Sequence, residues 1–163
     1  MEGNLIEVRN ATIDDVALIF DFIWIKSAFD RSVGAFRGVL QTSEEKIVQT
    51  MFGALPFAYV VFAESANSTV GFALYYFRYS SFAGQPILWL DDLYVDEQMR
   101  NKGAGLVLMN HLAQVFRANN CSHLAWTADA RNTRGLNFYS RLGAEVIKQE
   151  VNSCLLIWKP DQV

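Results

Sequence analysis

The 163-residue sequence predicts an α/β fold, a mixed and mostly antiparallel central sheet with helices on both faces. Three observations predict it. The hydrophobic period is helical near the N-terminus and again over 105–119, and strand-like between 57 and 95. The strand-like stretches there are joined by short turns, the mark of an antiparallel meander. A strand–helix–strand order then follows up to residue 128, which implies one parallel crossover. Half of the residues are apolar (52%), enough for residues 1–163 to bury a core as a single domain.

In order, Leu5–Arg9 alternates as a short strand. Asn10-Ala11-Thr12 offers caps for a helix, and Asp14 and Asp15 suit the dipole of its first turn. That helix runs to about Phe29, with Val16, Ile19, Phe20, Ile23 and Trp24 as its apolar stripe and Phe22 and Ile25 outside it. A helix apolar on more than one face is buried deeply or meets a second subunit. Arg31–Gln41, with Gly34 and Gly38, reads as a loop placed to line a site entrance. Thr42 or Ser43 caps a second helix, which ends near Gly53 before Pro56. Phe57–Ala63, Thr69–Tyr79 and Ile87–Val95 are strands, rich in β-branched and aromatic residues. Gly105–Asn119 is a helix with Leu108, Met109, Leu112, Val115 and Phe116 on one stripe. His123–Ala128 is a strand. Asn132 or Thr133 begins a last helix through Leu142, and Gly143 stands where a left-handed C-terminal glycine belongs. Val146–Lys148 and Cys154–Trp158 close the chain as a hairpin.

Several partner classes are disfavoured. The apolar run Ala58–Ala63 is far short of the ~20 residues that span a bilayer, and Asp14, Asp15 and Asp21 interrupt the region that could pass for a leader. No membrane partner is expected. Cys121 and Cys154 share no metal-site spacing with each other or with His111 and His123, so no metal is expected. Two buried thiols in a reducing cytosol, hence a cytoplasmic protein, is the simplest account of them. The net charge of −3 disfavours nucleic acid and suits a cationic partner.

The chemistry concentrates in 89–106. The strand ends in Arg100-Asn101-Lys102-Gly103-Ala104-Gly105-Leu106, and a helix follows at once. Glycines let the backbone approach an anion, unpaired amides of the first helical turn point into it, and Arg100 and Lys102 add countercharge. A pyrophosphate fits that description; a glycine-rich turn with solvated basic residues is the alternative. A dinucleotide fingerprint is rejected because Leu108 stands where its third glycine would be. A Walker loop is rejected because Leu106-Val107 replaces its Lys-Ser/Thr. Asp91 and Asp92 are neighbours in a strand, so they are expected to point to opposite faces, with only one toward a substrate.

Arg100-x-x-Gly103-x-Gly105 after Leu93-Tyr94-Val95 resembles the acetyl-CoA loop of the GNAT N-acetyltransferase superfamily. Asn132-x-x-x-x-Asn137-Phe138-Tyr139-x-x-x-Gly143-Ala144 resembles its second motif. Gly71–Tyr79 and Leu88-Trp89-Leu90-Asp91-Asp92 are similar to the branch acting on spermidine, spermine, thialysine and other small amines. The resemblance covers nearly the whole chain and is weakest in Arg31–Gln41. It implies the GNAT acyl-CoA N-acyltransferase fold and acetyl-CoA as cosubstrate. It implies that the backbone of Leu93, Tyr94 and Val95 pairs with the pantetheine arm, and that residues Arg100, Asn101, Lys102, Gly103, Ala104, Gly105 and Leu106 hold the pyrophosphate. Asn132, Thr133, Arg134, Gly135 and Arg141 would contact coenzyme A. Tyr139 would be the general acid at the thioester sulfur. Asp91, where the family usually has glutamate, would sit in the amine site with Trp126 as its wall and Asp30 as a further acidic contact. A homodimer is implied as well.

The implied reaction is acetyl transfer by direct attack to a primary amine of a small cation, a polyamine or a thialysine-like amino acid. Such an amine has a pKa near 10.4, so roughly one molecule in a thousand is neutral near pH 7, which accounts for roughly 4 kcal/mol of the barrier. An aspartate at its usual pKa of about 3.9 is a poor base, so a water chain leading away from Asp91 is expected. A protein or peptide N-acetyltransferase, or a non-catalytic acyl-CoA sensor, are the alternatives. The sensor needs neither Tyr139 nor Asp91.

Overall fold

The computed structural model describes residues 5–160. Strand β1 (Ile6–Asn10) leads through a short 3-10 turn into α1 (Val16–Ser32), then α2 (Glu44–Met51). The meander is β2 (Tyr59–Ser65), β3 (Ser68–Ser80) and β4 (Gln85–Val95). Helix α3 (Ala104–Ala118) crosses to β5 (Leu124–Asp129), and α4 (Thr133–Leu142) leads to β6 (Glu145–Gln149) and β7 (Ser153–Trp158). The sheet order is β1-β2-β3-β4-β5-β7-β6. All pairings are antiparallel except β4 with β5. The closing hairpin is present, with its second strand placed between β5 and β6.

The sheet has two apolar faces because its inner strands alternate. Val61 and Ala63 of β2 pack with Leu108, Met109 and Leu112 of α3, whereas Val60 and Phe62 pack with Ile19 and Phe22 of α1 and Ile47 of α2. Helix starts follow the caps read from the sequence. The Ser43 hydroxyl accepts from the Lys46 amide, and the Thr12 amide donates to Asp15 Oδ2 at 2.7 Å. Arg9 bridges that Asp15 to Glu64 of β2, which ties β1 to the start of α1.

Helix α1 corrects two expectations. It continues three residues past Phe29, to Ser32. Its buried stripe is Val16, Ile19 and Phe22, while Trp24 is 58% exposed. Positions 19, 22 and 26 follow i, i+3, i+7 spacing and face the sheet; Trp24 lies on the far side. The stripe therefore leads to Lys26, and one turn later to Phe29 and Asp30, at the end of the helix nearest the site.

Two further features position the site. β4 and β5 pair only at Leu88–Leu124 and Trp89–Ala125, then part. β4 also carries a bulge: Leu74 faces Asp92 and Tyr75 faces Leu90, which leaves Asp91 as the extra residue. Before the bulge the even-numbered Leu88 and Leu90 join the α3 side of the core, and after it the odd-numbered Leu93 and Val95 do.

Candidate active site

Two cavities occupy the cleft where β4 and β5 part. The first, about 410 Å³, is walled by Leu93, Tyr94 and Val95 of β4, the loop residues Arg100, Asn101, Gly103, Gly105 and Leu106, and Asn132, Arg134, Gly135, Phe138, Tyr139 and Arg141 around α4. The second, about 310 Å³, is walled by Lys26, Asp30, Asp91, Asp92, Trp126 and Asp129 among others. Phe29, Leu93, Asn132 and Tyr139 line both, so the cavities meet there.

The first cavity is built for an anion with an extended arm. The loop reaches helix α3 through two left-handed residues, Asn101 (φ 61°) and Gly103 (φ 95°). The first amide donating along the helix is that of Val107, to Gly103. The amides of Ala104, Gly105 and Leu106 therefore have no intrahelical acceptor, at the positive end of the dipole. A Cβ on Gly105 would lie 3.2 Å from the Phe138 ring, a tight contact that a side chain there would relieve only by shifting that ring. Beyond Trp89, the edge of β4 toward β5 has no strand partner among the described residues, so its amides and carbonyls can pair with an extended ligand. Asn132 caps α4, its Oδ1 accepting from the Gly135 amide at 3.0 Å.

Most of the expected cofactor residues line this cavity, and three do not. Lys102 and Thr133 are exposed beside it, and the Ala104 side chain is buried in the core under α3. Arg100 lines the cavity but is also structural. Its Nε donates to the Val95 carbonyl at 3.0 Å, and its guanidinium lies over the Phe29 and Tyr94 rings. Phe138 and Leu142 complete the apolar part of the wall.

The second cavity is acidic. Contrary to the alternation expected of a regular strand, Asp91 and Asp92 both line it, because the bulge at Asp91 breaks the period. Their surroundings differ. Asp91 is exposed. Asp92 has a side chain only 23% exposed, and burial, with smaller contributions from Asp91 and Asp30, pushes its carboxyl up to about 6 despite the nearby Lys26. Lys26 donates to Asp30 Oδ2 at 2.5 Å and stands 3.6 Å from Asp92 Oδ1. Asp129 is held down to about 2 by hydrogen bonds from Arg131. Lys26 was not among the residues singled out in the sequence; its place on the sheet-facing stripe of α1 is the signal that could have found it.

Tyr139 stands at the junction. Its ring packs against Trp126, centroids 4.9 Å apart, and against Phe138 at 5.4 Å. Burial raises its hydroxyl above the usual phenol range, so it keeps its proton and is able to donate a hydrogen bond. The Trp126 ring is buried, and its Nε1 has no hydrogen-bond partner among the described residues. No cluster of potential metal ligands and no helix long and apolar enough to cross a membrane occur among the described residues.

The model of the acetyltransferase (GNAT) family matches residues 25–144. Spermidine/spermine N(1)-acetyltransferase-like protein 1 of Homo sapiens is 27% identical over 151 residues, 88% of this chain and 21% of that protein. Thialysine N-epsilon-acetyltransferase of Bos taurus is 32% identical over 114 residues, 65% of this chain and 66% of that protein. The chain thus spans about a fifth of the first relative and just under two thirds of the second. Among solved structures, PaiA N-acetyltransferase from Thermoplasma acidophilum, in complex with coenzyme A, superposes with a TM-score of 0.69 at 14% identity, over 95% of this chain and 99% of that one.

Proposed function

Because the chain belongs to the acetyltransferase (GNAT) family, we propose that it transfers the acetyl group of acetyl-CoA to a primary amine of a small cation, a polyamine or a thialysine-like amino acid. One observation carries this reading. An anion-binding cavity and an acidic cavity meet at Tyr139 and Leu93, where a thioester held from one side would face an amine held from the other. The relative named as similar to a spermidine/spermine acetyltransferase and the one named as a thialysine acetyltransferase support the choice of acceptor.

Acetyl-CoA, when bound, supplies an activated acyl carbon and a thiolate leaving group. Amides of the Gly103–Leu106 turn and the side chains of Arg134 and Arg141 hold its phosphates, and the free edge of β4 aligns its arm. Asp91 draws in the substrate ammonium. Proton loss runs from the amine to the carboxylates of the acidic cavity or to water beside them; Asp92, raised to about 6, is a better acceptor than an ordinary aspartate. An amide of the Leu93–Val95 segment donates to the reacting carbonyl. Tyr139 donates a hydrogen bond to the departing sulfur. With its proton held this tightly, it stabilises the thiolate first and gives up the proton late.

A cytoplasmic homodimer belongs to the same reading. The buried, unpaired Cys121 and Cys154 suit a reducing compartment, and the exposed Trp24 and Ile25 on α1 offer an apolar face to a second copy.

Mass spectrometry of reactions containing acetyl-CoA and putrescine, spermidine, spermine, thialysine, lysine or a short peptide tests the function. A product about 42 mass units heavier, lost in Tyr139→Phe, is the expected result. If no amine gives product while acetyl-CoA still raises the melting temperature, the chain binds the cofactor without this chemistry.

A further inference from the structure

The four carboxylates of the acidic cavity are not equally available. Asp129 accepts from Arg131 Nε at 2.9 Å and from Nη2 at 2.7 Å, so its charge is already paired. Asp30 and Asp92 share one ammonium, that of Lys26, at 2.5 and 3.6 Å. Lys26 is not a solvated surface lysine. It extends the sheet-facing stripe of α1 one turn past Phe22, and its side chain is only 19% exposed. Asp91 alone lines the cavity, faces solvent and makes no ion pair among the described residues.

A cationic acceptor thus meets one open carboxylate and one occupied subsite. Its reacting amine can be drawn in by Asp91. A second ammonium group reaching for Asp30 and Asp92 finds another ammonium between them. It must displace Lys26 or sit within a few ångströms of a like charge, and partial burial weakens the screening that would soften that repulsion.

We propose that Lys26 is a specificity-determining residue: it fills the cation subsite between Asp30 and Asp92 and tunes the acceptor site to amines with a single net positive charge. Those are monoamines, or basic amino acids whose carboxylate offsets one ammonium. Di- and polyamines are disfavoured. This rests on the acetyltransferase reading above and chooses between its two acceptor classes. The device is negative as much as positive, because Lys26 rejects the wrong ligand by charge while adding nothing to the reacting amine. The tie to Asp30 is an i,i+4 contact on one helix, so the lysine is held in place without the substrate.

The test is the specificity constant, kcat/KM, for n-butylamine, thialysine, putrescine and spermidine at saturating acetyl-CoA. The unmodified enzyme is expected to favour n-butylamine and thialysine. Lys26→Met is expected to raise the ratio of spermidine to n-butylamine by roughly ten-fold or more, because a like charge leaves and two carboxylates are freed. Lys26→Arg keeps the charge and is expected to keep the unmodified ratio. Calorimetric titration with acetyl-CoA should give the same Kd for all three proteins. A ratio unmoved by Lys26→Met overturns the role of Lys26 and leaves acetyl transfer standing. A preference of the unmodified enzyme for spermidine over n-butylamine overturns it even if neither variant folds. Absence of product from every amine overturns the acetyltransferase reading itself.

Discussion

Replacing Asp92 with asparagine should make the protein more stable at neutral pH and change it little in acid. The carboxyl of Asp92 rises from 3.8 to about 6 on folding, because β4, α1 and the cavity wall remove most of its water. At about 1.4 kcal/mol per pH unit, that rise corresponds to about 3 kcal/mol. Between about pH 4 and pH 6 the folded chain keeps this proton while the unfolded chain has lost it, so stability falls as pH rises through that window. Above it the full cost is carried. Asparagine keeps the shape and never ionises, so Asp92→Asn should gain about 3 kcal/mol near pH 8 and well under 1 kcal/mol near pH 4. Lys26 already offsets part of the burial cost in the folded value, and Asp30 remains to hold its ammonium in the variant. Urea unfolding of both proteins at the two pH values reads the difference directly. An equal shift at both pH values, or a loss at pH 8, would refute the view that Asp92 is ionised at a net cost.

Three other outcomes follow from the same geometry. Tyr139→Phe should lower kcat about ten-fold or more with the acetyl-CoA Kd unchanged, since only the hydroxyl at the junction is lost; stopped-flow turnover and calorimetry check the two halves. Asp91→Asn should raise the amine KM more than it lowers kcat, because it removes the cavity carboxylate that makes no ion pair among the described residues and is proposed to attract the ammonium, and steady-state kinetics separate the two. Asn132→Ala should cost about 1 kcal/mol by leaving the Gly135 amide without its cap, seen as a lower melting temperature, and should also weaken acetyl-CoA binding because the same turn walls its cavity.

The fold was legible because each level of the sequence agrees with the next. The change of hydrophobic period at Phe57 marks the meander, the Ser43 and Asn132 caps start their helices, and Gly143 (φ 89°) ends the last one. The anion cavity was legible for a similar reason. A strand, a glycine turn and a helix N-terminus are contiguous in the chain, so their chemistry can be read without knowing any distant contact. The acidic cavity was not, because its walls come from α1 and the loop after it, β4, β5, α4 and the segment around Asn152. Strand periodicity predicts opposite directions for Asp91 and Asp92, and nothing local to them announces a bulge. The stripe of α1 was misplaced for a related reason. Trp24 fits a helical spacing from Val16 and Phe20, and spacing alone favours it over Phe22, whereas packing against Phe62 and Phe72 decides the matter.

That division has a consequence for how specificity is built. Everything that would hold the acyl donor lies on β4, the glycine loop and the two helices after it, and Tyr139 belongs to that group. On the proposal above, the charge that sorts one amine from another is set by Lys26 and Asp30 of α1, which packs on the face of the sheet opposite α3 and touches the donor cavity only through Phe29. A change at position 26 or 30 therefore alters the charge met by the acceptor without moving the loop that binds phosphate. The bulge at Asp91 makes this possible, since it puts two adjacent carboxylates in one cavity, one open to the amine and one facing α1. A regular strand would have turned one of the two carboxylates out of this cavity, leaving either Lys26 without its partner on the sheet or the cavity without its open carboxylate. The net cost of ionising Asp92 at neutral pH is thus tied to the same arrangement that is proposed to sort acceptors by charge.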